Sequence, residues 1–177
     1  MDVPTFISKL RVKDYTGANQ TILERCILPG TCACTCPAGK LCVKNCCVGD
    51  LVGPVAINEL QRFAADRGSP AERRQASREK ADGTKVAVIG SGPAGLSCAA
   101  ELVKKGYGVV IFESEKNPGG SMAHSIPPHR LPRDIVQREI DYTTRMGVKV
   151  QTNTPIRDAR KLIKDGLRYC RHGPETK

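Results

Sequence analysis

Two groups of residues in this chain have types and spacings suited to chemistry. The first is a run of thiols: seven of the nine cysteines lie between Cys26 and Cys47. Cys32, Cys36, Cys42 and Cys46 stand as C-x3-C-P-x4-C-x3-C, with Cys26, Cys34 and Cys47 beside them. Thiolates crowded onto a Pro- and Gly-rich loop suit a soft metal, because such a loop turns several sulfurs inward without a competing backbone ladder. Iron–sulfur ligation and a four-cysteine zinc site both fit these residue types, and the Cys-Pro step favours iron–sulfur. The second group is the turn Gly90-Ser91-Gly92-Pro93-Ala94-Gly95, a G-x-G-x-x-G pattern, with Glu113 following at roughly the twenty-residue remove of a dinucleotide fingerprint. Backbone N–H groups at such a turn meet a pyrophosphate, and the acid accepts hydrogen bonds from ribose hydroxyls.

The elements that must position the second group are readable around it. Val86 to Ile89 is an apolar strand, the glycine turn opens a helical pattern that ends at Gly106, and Val109 to Phe112 is a second strand ending on Glu113. The unit is a complete βαβ fingerprint. Gly90 permits the tight turn, Gly92 lets backbone approach the phosphates, and Gly95 lets the helix pack on the strand. An acid at position 113 disfavours a 2′-phosphate, so the ADP-ribose of FAD or NAD fits better than that of NADP.

Elsewhere the pattern is simpler. Pro4 to Arg25 reads as one or two short helices, with Phe6, Ile7 and Leu10 on one face and Ile22 and Leu23 repeating it after Gly17. Pro54 to Arg67 is expected as a helix beginning at Pro54, apolar along Ile57, Leu60 and Ala64, and stopped by Gly68. The charged segment 69–83 has no apolar periodicity and reads as a linker between residues 1–68 and 84–177, with Arg73 and Arg74 as solvating charges. Pro118-Gly119-Gly120 is a turn able to approach a ligand, and 121–132 a loop. His124 and His129 in that loop have no cysteine neighbours and read as surface rather than metal ligands. A helix is expected over Arg133 to Met146, capped by Gly147, then a strand over Val148 to Thr152 and no strong strand after Pro155. Cys98 reads as a buried small apolar residue.

Composition narrows the function classes. The 177 residues allow one or two domains with a real core, no basic-then-apolar leader opens the chain, and no apolar run is long enough to span a bilayer. A soluble, cytoplasmic protein is expected. The net charge of +10 invites a nucleic-acid reading, but aromatics are 4% and Trp is absent, so stacking platforms are missing and no nucleic acid is expected. A basic face toward an acidic electron-transfer partner and a merely solvated surface both fit the charge.

Several separated stretches resemble one family. They are CP-x4-C through GPVAINELQRFAAD, VAVIGSGPAGLSCA, then IPPHRLPRDIVQREIDY with MGVKVQTNTPI. In this order they are similar to the glutamate synthase small-subunit family, which takes in the N-terminal flavoprotein region of dihydropyrimidine dehydrogenase and the large subunit of NADH-dependent ferredoxin:NADP oxidoreductase. The resemblance runs from about Val3 to about Gly166. It implies a small α-helical iron–sulfur domain followed by an α/β Rossmann-type FAD-binding domain, with electrons passing between NAD(P)H, FAD and [4Fe-4S] clusters. By the same resemblance Gly90 through Gly95 (with Ser91, Gly92, Pro93 and Ala94 between them) hold the FAD pyrophosphate and Glu113 the ribose. Gly120 and Ser121 line the cofactor, and Arg130 of the RLP motif contacts it. Cys36, Cys42 and Gln61 are implied as ligands of one cluster and Cys46 of the other; Cys32 matches a cysteine without an iron role.

Against the family pattern, an upstream C-x2-C-x4-C-x3-C-P run and the second glycine-rich turn for NADPH are absent from this sequence. Both cluster ligand sets are thus incomplete, and the FAD-binding domain is expected to be partial. The expectation is an electron-transfer module, part of an NAD(P)H-dependent flavin and iron–sulfur oxidoreductase, working with another redox polypeptide that supplies the missing ligands and the NADPH domain. The alternatives are a non-catalytic structural or interaction subunit with zinc or a partial cluster, and a gene fragment.

Overall fold

The computed structural model describes residues 1–68, 83–160, 162 and 167–171. They form two compact units, one of Met1–Glu72 with Pro128–Ile135 and one of Arg73–Pro127 with Val136–Lys177. Apart from Gly83, the linker expected over 69–83 lies outside the described residues, as does the stretch 163–166 at the end of the family resemblance.

The first unit is helical: α1 (Val3–Arg11), α2 (Tyr15–Leu23), α3 (Pro29–Thr35), α4 (Gly49–Val52) and α5 (Ile57–Arg67), with a 3-10 turn at Ala38–Lys40. Both of its first helices start on aspartates, Asp2 accepting from the Thr5 N–H at 3.1 Å and Asp14 from the Gly17 N–H at 2.9 Å. The break between them falls at Lys13, whose φ is 62°, and Gly17 sits inside the first turn of α2. Phe6, Ala18, Ile22, Ile57 and Ala64 form the core. Helix α5 begins at Ile57, three residues after Pro54, because Val55 and Ala56 are still outside the helix. Gly68 ends α5 with ordinary extended dihedrals, so it is there for space: a Cβ would sit 2.5 Å from both the Asn19 Cβ and the Tyr15 carbonyl oxygen. That close approach lets Asn19 Nδ2 donate to the Gly68 carbonyl at 3.2 Å, tying α2 to the end of α5.

The second unit is α/β. Strands β1 (Lys85–Ile89), β2 (Gly108–Phe112), β3 (Lys149–Gln151) and β4 (Arg168–Arg171) form one parallel sheet in the order β3-β2-β1-β4. Helix α6 (Pro93–Lys104) joins β1 to β2, and α7 (Ser121–His124) and α8 (Arg133–Arg145) precede β3. Strand β4 is a correction to the reading that no strand follows Pro155: its residues, Arg-Tyr-Cys-Arg, carry no apolar run, and pairing with β1 creates the strand. The order reverses between β1 and β4, the switch point at which open parallel sheets bind ligands. The glycine turn leaves the carboxyl end of β1 at this place.

Candidate functional site

The glycine turn has the geometry its residue types require. Gly90 has φ 94°, open only to glycine at low cost. Gly95 packs α6 so closely on β1 that a Cβ would lie 2.0 Å from the Gly90 carbonyl oxygen. Gly92 differs: its backbone is extended, and a Cβ would meet nothing within 4 Å. Gly92 is also the N-cap of α6, which has no side-chain cap, so the first-turn N–H groups and the positive end of a 12-residue helix face that open space.

The acid expected at the ribose is at the end of β2 and nearly buried, 5% exposed. Its Oε2 accepts from the Ser91 N–H at 2.8 Å and from the Ser91 hydroxyl. Its Oε1 accepts from the Glu115 N–H at 3.0 Å and from the Ser114 hydroxyl at 3.1 Å. Burial works against the charge of Glu113, but hydrogen bonds from the Ser91 hydroxyl, the Glu115 and Ser91 N–H groups and the Ser114 hydroxyl outweigh it and hold its pKa below the ordinary value. Ser91, wholly buried, also accepts from the Gly119 N–H at 2.9 Å. Its side chain and its N–H are thus committed to the protein.

The second turn closes on the first. Gly119 and Gly120 have φ 120° and 53°, and a Cβ on Gly120 would stand 2.9 Å from the Gly92 Cα. Val136 and Ile140 of α8 lie against Gly119. Ser121 opens the short α7, exposed, in the stretch expected as loop. His124 and His129 are exposed as expected, His124 Nε2 meeting the Asn117 carbonyl at 2.9 Å. Arg130 groups with the helical unit, where its Nη2 donates to the Thr35 carbonyl at 3.3 Å, at the C-terminus of α3. Cys98, on α6, is partly exposed rather than buried.

The cysteines fall on more regular structure than a loop: Cys32 and Cys34 lie on α3, and Cys36 is its C-cap. Pro29 at the first helical position, a residue type first read as loop composition, starts this helix. Cys32 Sγ and Cys36 Sγ are 3.2 Å apart. The Cys26 thiol, followed by Cys36 and Gln61, pulls the Cys32 pKa down to about 5 against the cost of burial. Cys36, partly desolvated and beside Cys32, is raised to about 11. Cys42 and Cys46 pack against the helical core. N–H groups of Val55, Val48 and Gly49 directed at Cys46 lower its pKa. Gln61 is buried on α5, its Nε2 donating to the Pro29 carbonyl at 2.8 Å, and the neighbouring Arg62 donates to Cys34 Sγ and to Asp66.

Of the four implied ligands, Cys36 is therefore paired with Cys32, and Gln61 with backbone. Cys42 is near enough to Cys36 to raise its pKa, while Cys46 lies in its own ring of N–H groups. Among the described residues, no three His, Cys, Asp or Glu side chains stand close enough to grip a single metal ion. The donor set still suits iron–sulfur chemistry, with soft thiols on a packed helical core and N–H groups aimed at sulfur. The prominence of Cys32 is a feature that residue spacing did not reveal, because it depends on Cys26 and Gln61 from other elements.

Comparison with known proteins agrees with this arrangement. The dihydropyrimidine dehydrogenase domain II, 4Fe-4S cluster family matches residues 1–73, and the NAD(P)-binding Rossmann-like domain family matches residues 88–155. The NAD-dependent dihydropyrimidine dehydrogenase subunit PreT of Escherichia coli O157:H7 is 37% identical over 88% of this chain and 38% of its own length. The corresponding PreT homolog of Salmonella typhi is 36% identical with the same coverage. The NADP(+)-dependent formate dehydrogenase subunit beta of Moorella thermoacetica is 35% identical over 88% of this chain and 25% of its own length. The chain therefore spans less than two fifths of these relatives. The comparisons thus find a stretch similar to the dihydropyrimidine dehydrogenase domain II, 4Fe-4S cluster family, followed by one similar to the NAD(P)-binding Rossmann-like domain family, in the order of the two units of the fold.

Proposed function

We propose that the chain is an electron-transfer module of a cytoplasmic flavin and iron–sulfur oxidoreductase, and that its Rossmann-like unit grips the ADP half of FAD. The observation that carries this reading is the joining of two glycine turns, through Ser91, Glu113 and Gly119, beside an uncapped helix N-terminus. The open space at Gly92 suits a pyrophosphate, and the Glu113 charge suits ribose hydroxyls while repelling a 2′-phosphate. Gly90, Ser91, Gly92, Pro93, Ala94, Gly95, Glu113, Gly120 and Ser121 form the proposed cofactor set, while Arg130 donates to the Thr35 carbonyl within the helical unit. Ser91 contributes through Glu113 and Gly119 rather than by its own contact.

FAD, when bound, supplies the electron-transfer chemistry; the chain's residues orient it and exclude water, and no side chain need act as acid or base. Cys36, Cys42 and Gln61 are the proposed ligands toward one [4Fe-4S] cluster, and Cys46 toward another. For Cys36 and Gln61 this means leaving Cys32 and the Pro29 carbonyl. A redox partner is part of this reading; the naming of the relatives as subunits supports a partnered protein. The test is the absorption spectrum of the purified protein together with iron, zinc and flavin assays. Flavin bands with bound iron are expected. A colourless protein holding stoichiometric zinc would overturn the reading in favour of a structural subunit.

A further inference from the structure

The two oxygens of the Glu113 carboxylate are held in different ways. A carboxylate offers about four lone-pair sites, two on each oxygen. Four protein donors occupy them: the Ser91 N–H and hydroxyl on Oε2, and the Glu115 N–H and Ser114 hydroxyl on Oε1. An incoming ribose hydroxyl finds no vacant acceptor on this side chain, and one donor has to leave.

The four donors differ in what leaving would cost. The Ser91 hydroxyl is completely buried and is also the acceptor for the Gly119 N–H, so its departure would strand two buried polar groups. The Ser91 and Glu115 N–H groups belong to backbone that rotation about a side chain cannot move. Ser114 is exposed, and its hydroxyl turns out to water by rotation about one bond, keeping a hydrogen bond throughout.

We propose that Glu113 is divided in function: Oε2 is an anchor locked by Ser91, Oε1 is the ligand-facing atom, and the Ser114 hydroxyl is a latch that a ribose hydroxyl displaces. Ser114 is thus an internal competitor that sets nucleotide affinity, and Ser91 is a positioning residue that acts through Glu113 and Gly119. The inference rests on the nucleotide-binding reading above and adds the atom, the exchange and the residue that limits it.

The two serines on one carboxylate should then have opposite effects. The test is calorimetric titration of the full chain and its Ser114→Ala and Ser91→Ala variants with ADP-ribose and with 2′-phospho-ADP-ribose. Ser114→Ala should bind ADP-ribose about three- to tenfold more tightly, the gain of no longer breaking a hydrogen bond to a charged acceptor. Its affinity for the 2′-phosphorylated probe should not rise, since the phosphate is still repelled by Glu113. Ser91→Ala should bind ADP-ribose at least about tenfold more weakly, because it frees the anchor and orphans the Gly119 N–H. Wild-type binding with unchanged or weaker affinity in Ser114→Ala would overturn the latch and leave the nucleotide site standing. An equal gain for both probes would also overturn it, by showing a wider entrance instead of a freed acceptor. No binding of ADP-ribose by the wild type would remove both the latch and the reading beneath it. Ser114 is exposed, so its variant is expected to fold, and a thermal melt matching wild type checks this.

Discussion

Gly120 rests against Gly92 so closely that a Cβ on the first would stand 2.9 Å from the Cα of the second. Each of these glycines separates stability from binding in a different way. Gly120, at φ 53° and in contact, should not tolerate a side chain. Gly120→Ala is expected to destabilise the Rossmann-like unit by about 2 kcal/mol, read as a lower urea midpoint.

Gly92→Val adds its side chain to open space on extended backbone, which costs the fold little. It should leave the free energy of urea unfolding within about 0.5 kcal/mol of wild type while abolishing flavin retention. Retained flavin in this variant would displace the pyrophosphate from the proposed position.

The helical unit carries a similar marker at Gly68. A Cβ there meets Asn19 and the Tyr15 carbonyl at 2.5 Å, and the collision is with backbone as well as side chain. Gly68→Ala should cost about 2 to 3 kcal/mol and lower protection of α2 amides against hydrogen exchange. Unchanged exchange in α2 would show that the contact is not maintained in solution.

Glu113 predicts the pH response. Its folded pKa is lowered below the ordinary value of 4.5, so its stabilising contribution is fully present above that value and is lost as pH falls through the lower folded value. Wild type should lose stability as pH falls below about 4.5, and Glu113→Gln should show a shallower loss on the same side. Urea midpoints at several pH values measure the difference; parallel curves would remove Glu113 as a source of acid sensitivity.

The thiols can be sorted by reconstitution with iron and sulfide. Cys36→Ser, Cys42→Ser and Cys46→Ser should each lower bound iron per chain, whereas Cys32→Ser should leave it near wild type. Loss of iron in Cys32→Ser alone would shift the ligand assignment to the thiol that this structure places between Cys26 and Cys36.

The βαβ fingerprint was legible residue by residue, because every part of it is local. A strand period, a glycine at φ 94°, a helix opened by Pro93 and an acid closing the next strand each leave a mark in the sequence at its own position. The helix breaks were less legible. Pro54 resembles a helix start, but α5 begins only at Ile57. Strand β4 was invisible because Arg168 to Arg171 has no periodicity of its own and is a strand only against β1.

By itself the sequence determined that a thiol-rich helical unit precedes a Rossmann-like turn, since residue type and short spacing constrain backbone sterics and metal chemistry directly. Only the tertiary structure decided what the named residues do. It spent Ser91 on Glu113 and Gly119 across separations of 22 and 28 residues, directed Gln61 to the Pro29 carbonyl and joined Arg130 to Thr35. Those partnerships depend on which elements pack together, and buried donors and acceptors take whatever partner that packing brings within reach.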